Sequence, residues 1–426
     1  MINLQKLKIV NLNILDIYLI IIYSLLPISL ILGNLIINVN ILIIGITLII
    51  YCYKNNIWYW TNSLQFKLLI IIQIYLILSS LNAYYNLGFN DNFDGIFRSI
   101  SFIKYILLFF SFKILIKKEY IFKNFLKIWL FISLIVLLDI FFEKITGSNI
   151  FGFHSIDPRR IASFFRDELV VGGYILLIGY YSIVQLLDNL KKENIYKFIF
   201  NILIFLIPIA IFISGERSNF IKSIIIFTAL LLFINNDKFY LNKIFIIIIL
   251  ISSFGFSMMI NKDLKNRYME FFNRINIENQ NSNLSEKFEN IKYIVHYKTA
   301  FKIFKNYPYL GIGSKNFRNE CSKDIYNNEK DKLTHLRCST HPHNTHFELL
   351  SEQGIIGYIL TFSFIIYFLF SCFKTWIIKK DYLILFGSFY ILTFFIPLLP
   401  GGSIFSTFNG TLFWLIFGLT NYRLSN

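Results

Sequence analysis

The chain has 426 residues, of which 56% are hydrophobic and only 15% charged, and its formal charge is +16. Soluble globular proteins hold about 25% charged residues, so this composition excludes water as the main solvent. The basic excess does not point to nucleic acid either, because the lysines fall in short connections between apolar runs and form no stripe interleaved with aromatics.

Apolar runs of roughly 18 to 22 residues recur along most of the chain, each long enough at about 1.5 Å per residue to cross a hydrocarbon core of about 30 Å. They predict an all-α polytopic membrane protein with about twelve transmembrane helices, near 12–33, 35–53, 66–83, 100–117, 125–142, 168–187, 198–214, 218–235, 243–260, 354–373, 382–399 and 403–421. The first run follows Lys6 and Lys8 but lacks a small-residue cleavage site and is longer than a signal core, so it reads as a retained span. Basic connections alternate: Lys54 and Lys67; Lys117, Lys118, Lys123 and Lys127; Lys191, Lys192 and Lys197; Lys238 and Lys243; Lys374, Lys379 and Lys380. The positive-inside rule makes these connections and both termini cytoplasmic and puts the others outside. The expected parts are helices one to nine in 1–260, a large periplasmic helical loop in 261–353, and helices ten to twelve in 354–426. Within the loop, Phe288, Ile291, Ile294, Val295, Ala300 and Phe301 recur at broadly helical spacing across 285–304.

Cys52 and Cys372 fall in apolar spans, whereas Cys321 and Cys338 share the outer loop and are candidates for a disulfide in an oxidising compartment. A zinc site built from these cysteines and nearby histidines has no CxxC spacing behind it.

Three outward patches combine charge with the end of a span. Arg159 and Arg160 begin a segment that runs through Arg166, Asp167 and Glu168 into an apolar helix; such arginines either anchor at the interface or bind an anion. The turn Ser214-Gly215-Glu216-Arg217-Ser218 is squeezed between two spans, holding Arg217 at the membrane surface as either a partner for Glu216 or a fork for phosphate. The third patch holds His341, His343, Asn344 and His346. Thr345 followed by Glu348 reads as a capping box, so a helix is expected to start beside His343, its positive end keeping the imidazole neutral and fit for a general base. Convergence of the three histidines on zinc competes with that reading but has no HExxH pattern to support it. Gly311-Ile312-Gly313 reads as a turn, since no complete glycine fingerprint follows a strand.

In order and sidedness these elements resemble the O-antigen ligase and O-antigen polymerase superfamily of bacterial membrane glycosyltransferases. The resemblance rests on the segment from Arg160 to Gly173 with Asp167-Glu168-Leu169, the Gly-Glu-Arg-Ser turn at Arg217, Asn-Tyr-Pro-Tyr-Leu-Gly-Ile-Gly at 306–313, and His343-Asn344 followed by Leu-Leu-Ser-Glu-Gln-Gly-Ile-Ile-Gly at 349–357. It implies an inner-membrane enzyme, active at the periplasmic face, that moves a glycan from undecaprenyl diphosphate to a hydroxyl of lipid A core. A polymerase extending another lipid-linked glycan, or a protein O-glycosyltransferase, is the alternative within the superfamily. No metal, cofactor or nucleotide sugar is implied, and the partners are the lipid-linked donor, the acceptor and membrane lipids. The resemblance implies His343 as the catalytic residue and Arg160 and Arg217 as diphosphate ligands, with Asn344, Glu216, Asp167 and Glu168 in support and Arg159 competing for the register of Arg160. From another class, a transporter of polysaccharide or lipid-linked sugar should place ionisable groups near the bilayer midplane, and the spans read as nearly free of buried charge.

Overall fold

The computed structural model describes residues 13–89, 93–189, 194–276, 291–327 and 333–425, and these form helices without a strand. In chain order they are α1 (Ile14–Leu32), α2 (Asn34–Asn55), α3 (Leu64–Asn86), α4 (Asp94–Ser101), α5 (Ile103–Leu115), α6 (Glu119–Thr146), α7 (Val171–Leu187), α8 (Asn194–Ile213), α9 (Arg217–Phe233), α10 (Lys243–Ile260), α11 (Lys262–Asn276), α12 (Lys292–Asn306), α13 (Phe317–Glu320), α14 (Thr345–Lys379), α15 (Tyr382–Thr393) and α16 (Thr407–Ser425). Among the described residues, eight segments are long and apolar enough to cross a membrane: α1, α2, α3, the continuous Asp94–Leu115, α6, α8, α10 and α14. Ile21, Leu25 and Ile28 on α1 and Leu42, Ile46 and Ile49 on α2 stand exposed, and only 11% of α10 is buried. Apolar surface of this extent is a liability in water and a requirement against lipid tails, so the chain is a multi-pass membrane protein.

Every predicted span falls on a helix, but four of them depart from an independent crossing segment. α7 and α15 are short, α9 has 17 residues, and α16 carries Thr407, Asn409, Thr411, Thr420 and Asn421. α16 tolerates these groups because most of its residues are buried by neighbouring helices rather than facing lipid. Tyr105 and Trp414 stack at 6.2 Å where α5 meets α16, and the Tyr105 hydroxyl donates to the Ser406 carbonyl at 2.8 Å.

The spans are less free of charge than their sequence suggests. Lys104, Asp139, Glu143 and Lys222 are all buried. Each is provided for locally: Lys104 donates to Asn38 Oδ1 at 2.7 Å, Lys222 sits 4.3 Å over the Phe394 ring, and the two acids receive hydrogen bonds from the segment after α6.

α14 starts well before the predicted span and is broken at Gly354, whose φ of 63° lies in the left-handed region. The segment Tyr307–Gly313 takes up the backbone groups around this break: Ile355 N–H donates to the Pro308 carbonyl at 2.8 Å, and Gly313 N–H to the Glu352 carbonyl at 2.8 Å. A side chain at Gly354 would strike the Tyr309 carbonyl, so glycine is needed here on both steric and conformational grounds. The Gly311-Ile312-Gly313 turn is therefore a dock for α14. Of the helix expected across 285–304, the part from Lys292 is α12, which runs on to Asn306; residues 277–290 lie outside the described residues.

Candidate active site

The connections around the first two patches meet at one end of the bundle. Between α6 and α7 the chain is pinned from below by α6: Glu143 accepts from the backbone N–H groups of Ala162 (3.2 Å) and Ser163 (2.6 Å), and Asp139 accepts from Ser163 Oγ (2.5 Å) and Ile150 N–H (2.8 Å). From the side, Ile161 N–H donates to the Ser214 carbonyl at 3.2 Å. Gly215, at φ 73°, faces the Arg159 carbonyl with no space for a side chain. The two arginine patches are thus joined by backbone contact. The predicted helix entry at Glu168 is delayed to Val171, because Ser163 and Arg166 both adopt positive φ and the chain turns sharply between them.

Arg160 Nη2 donates to the Leu169 carbonyl at 2.6 Å. Burial lowers its guanidinium affinity for protons, and the nearby Glu216 carboxylate opposes that shift. Glu216 is itself buried, which pushes its carboxyl up while Arg160 pulls it back. Its oxygens accept from Gly172 N–H and from Asn219 Nδ2, both at 2.6 Å, so Glu216 fixes the start of α7 to the start of α9.

Arg217 meets residues of α11 that the sequence reading did not select. Glu270 lies 3.5 Å from Arg217, 3.6 Å from Arg267 and 4.0 Å from Arg159. Arg267 Nε donates to the Gly215 carbonyl and Arg217 Nη1 to the Arg267 carbonyl, both at 3.3 Å. Tyr268 anchors the helix by stacking on Phe212 at 4.4 Å and donating to its carbonyl at 2.9 Å. Arg159 is held mainly by Asp157, through a bidentate pair at 2.9 and 3.0 Å. The result is a cluster of four arginines, which is well suited to a multiply charged oxyanion. The signal for it was present as the i, i+3 pair Arg267 and Glu270 on an amphipathic stretch.

His343 sits just before α14 with a φ of 60°, a conformation uncommon outside glycine. Its Nε2 is hydrogen-bonded to Ser339 Oγ at 2.8 Å, and its ring lies 4.2 Å from His341, 5.4 Å from Tyr293 and 5.5 Å from His296. Burial and the neighbouring histidines pull His343 down to about 3, and burial pulls His341 down to about 4. His343 is therefore neutral, as the sequence implied, but desolvation dominates where a helix end had been expected to act. His341 donates through Nε2 to the Gly401 carbonyl at 3.3 Å, and the Gly401 N–H donates to the His343 carbonyl at 2.8 Å. Tyr293 also lies within electrostatic reach of Arg160. Tyr293 and His296, on α12, had been passed over because that helix was read only for its apolar stripe.

The remaining selected residues divide. Asn344, rather than Thr345, caps α14, its Oδ1 accepting from the N–H groups of His346 (3.0 Å) and Phe347 (3.4 Å). Glu348 does not complete a capping box; its carboxyl faces Ser403 and the Ile404 backbone, both of which act on its proton affinity. Asp167 and Glu168 are exposed and are not brought to the arginines or histidines. His346 turns away to donate to the Phe395 carbonyl at 3.0 Å and to pack on Phe362, so the three histidines of the motif do not converge. Among the described residues no group of three His, Cys, Asp or Glu side chains is placed to hold a metal ion. Cys321 and Cys338 are joined in a disulfide, and Arg337 beside it donates to the Cys321 carbonyl at 2.9 Å while its own carbonyl accepts from His296 Nδ1 at 3.1 Å. The disulfide thus braces the wall behind the histidines.

Fold and site together define a helical multi-pass membrane protein with an arginine cluster and a neutral histidine pair at one end of its bundle. Residues 202–362 match the family model Wzy_C, O-antigen ligase. The resemblance to the O-antigen ligase superfamily holds over this stretch, which contains Arg217, Arg267, Tyr293, His296, His341 and His343. No curated protein matches the chain.

Proposed function

We propose that the protein is an inner-membrane glycosyltransferase that moves a glycan from undecaprenyl diphosphate to an acceptor hydroxyl at the periplasmic face. The reading is supported above all by the convergence of Arg159, Arg217 and Arg267 on one carboxylate, Glu270, with Arg160 near enough to feel the charge of Arg267 and Tyr293. The lysine-rich alternate connections support twelve crossings, cytoplasmic termini and a periplasmic site.

In this mechanism the arginines hold the donor diphosphate and His343 takes the acceptor proton. In the tautomer whose Nε2–H is given to Ser339, Nδ1 keeps its lone pair for that proton. The acceptor oxygen attacks the anomeric carbon, the bond from that carbon to the phosphate oxygen breaks, and undecaprenyl diphosphate leaves as an anion. Direct displacement inverts the anomeric centre. Guanidinium groups stabilise the charge growing on the leaving oxygen more in the transition state than in the ground state. A diphosphate near His343 also opposes the downward pull on its proton affinity, since negative charge favours imidazolium. Its basicity then rises when the donor is bound.

The test is transfer from purified undecaprenyl-diphosphate glycan to lipid A core by protein reconstituted in vesicles containing a chelator. Transfer with inverted linkage is expected, and chelator-sensitive activity, or movement of the donor across the bilayer without transfer, would overturn the reading. Surface glycans of a deletion strain separate the alternatives: unligated long chains mark a ligase, and single repeats on lipid A core mark a polymerase.

A further inference from the structure

A cavity of about 160 Å³ borders His341, and its walls include none of the four clustered arginines. His341 forms part of its wall, and the His343 ring, itself 5.4 Å from Tyr293, lies 4.2 Å from His341. Of the histidine pair only His341 lines the cavity, and none of Arg159, Arg160, Arg217 and Arg267 does. Displacement at an anomeric carbon requires the nucleophile and the leaving group on opposite sides of that carbon, so the acceptor needs a site distinct from the arginines that hold the diphosphate and close to the proton acceptor.

The walls have a distinct chemistry. Glu348 and Glu352, one helical turn apart on α14, are each 2% exposed. Glu352 accepts from the backbone N–H groups of Lys315 at 2.8 Å and Phe317 at 3.3 Å. A carboxylate has about four lone-pair positions, so both acids retain capacity for further donors. Arg98 acts electrostatically on both acids. Arg98 and the Asn409 amide add donors, Phe405 adds an apolar ring, and Arg318 stands at the exposed rim. Paired acceptors, forked donors and one aromatic face match the hydroxyls and the apolar face of a sugar ring. The volume is below the roughly 300–1,000 Å³ typical of pockets for drug-sized ligands, which suits one sugar residue rather than a chain.

We infer that this cavity is the acceptor subsite, seating a single neutral sugar residue whose hydroxyl points past His341 toward His343. The inference rests on the glycosyl-transfer reading and deepens it. Arg98 and Asn409 lie outside the matched residues 202–362 whereas Arg318, Glu348 and Glu352 lie within them, so acceptor choice would be shared between the segment that carries the histidines and its flanks.

The test uses the full chain in vesicles, with undecaprenyl-diphosphate glycan as donor and lipid A core as acceptor probe. Arg318→Ala and Asn409→Ala should each raise the acceptor KM about tenfold, the loss expected for one hydrogen bond to a charged or polar partner, while the donor Kd stays within experimental error. Arg318 is exposed, so its truncation leaves the fold intact. Wild-type transfer with unchanged acceptor KM in both variants overturns the subsite alone. A fall in donor affinity without a change in acceptor KM reassigns the cavity to the donor sugar and also overturns it. A wild-type protein that binds donor but transfers to no acceptor overturns the glycosyl-transfer reading, and the subsite with it.

Discussion

The arginine cluster and the histidine pair lie side by side yet are built on opposite principles. Arg159 and Arg217 remain partly open to solvent and share the Glu270 carboxylate at 4.0 and 3.5 Å, so their charges are stabilised but their geometry is adjustable. His341 and His343 are enclosed, uncharged and fixed by backbone contacts to the Gly401 peptide. A site that captures a polyanion benefits from hydrated, exchangeable cations, whereas a site that receives one proton in a fixed direction benefits from burial.

Three measurements would break or sharpen this contrast. The largest effect is expected from His343→Ala, which should lower turnover by roughly 10²- to 10⁴-fold while leaving the donor Kd nearly unchanged; full turnover in this variant ends its role as base. Next, Arg217→Lys should weaken binding of inorganic diphosphate by about tenfold, because an ammonium lacks the guanidinium fork. Glu270→Gln should strengthen it a few-fold and steepen its dependence on salt, since it removes the competing internal anion. Equal affinities in all three proteins by calorimetry would show that the cluster is structural. The smallest effect concerns pH. His341 falls from 6.5 to about 4 in the folded protein, so the unfolded chain binds the proton that the fold refuses, and stability is full above pH 6.5 and declines as pH drops toward 4. His341→Gln should flatten that part of the melting profile; an unchanged slope would place the histidine in contact with water.

The spans were legible because the bilayer demands long apolar runs, whatever the rest of the fold does. Where protein replaces lipid as the neighbour, the signal weakens: α16 keeps Asn421 and Thr420 buried, and its crossing length cannot be read from hydropathy alone. The candidate site was legible in its charged punctuation, Arg160, Arg217 and His343, each placed at an abrupt change of polarity. Arg267 and Glu270 escaped notice because an amphipathic helix carries many such pairs on its solvated face, and only tertiary docking through Tyr268 turns this one inward. The cap of α14 was misplaced by one residue because Asn344 and Thr345 are both good capping residues, and the choice between them is made by the loop from 398 to 402, whose Leu399 carbonyl accepts from Asn344 Nδ2 at 3.3 Å.

The Gly401 peptide gives its N–H to the His343 carbonyl and its own carbonyl to the ring of His341. One rigid plane is thereby shared by the two histidines and by the connection leading into α16, whose Ser403 and Asn409 border the neighbouring cavity. Any ligand that shifts this connection must re-aim both imidazoles together. Under the proposed mechanism, occupancy of the cavity and the aim of the proton acceptor are then coupled through a single amide rather than through a movement of whole helices.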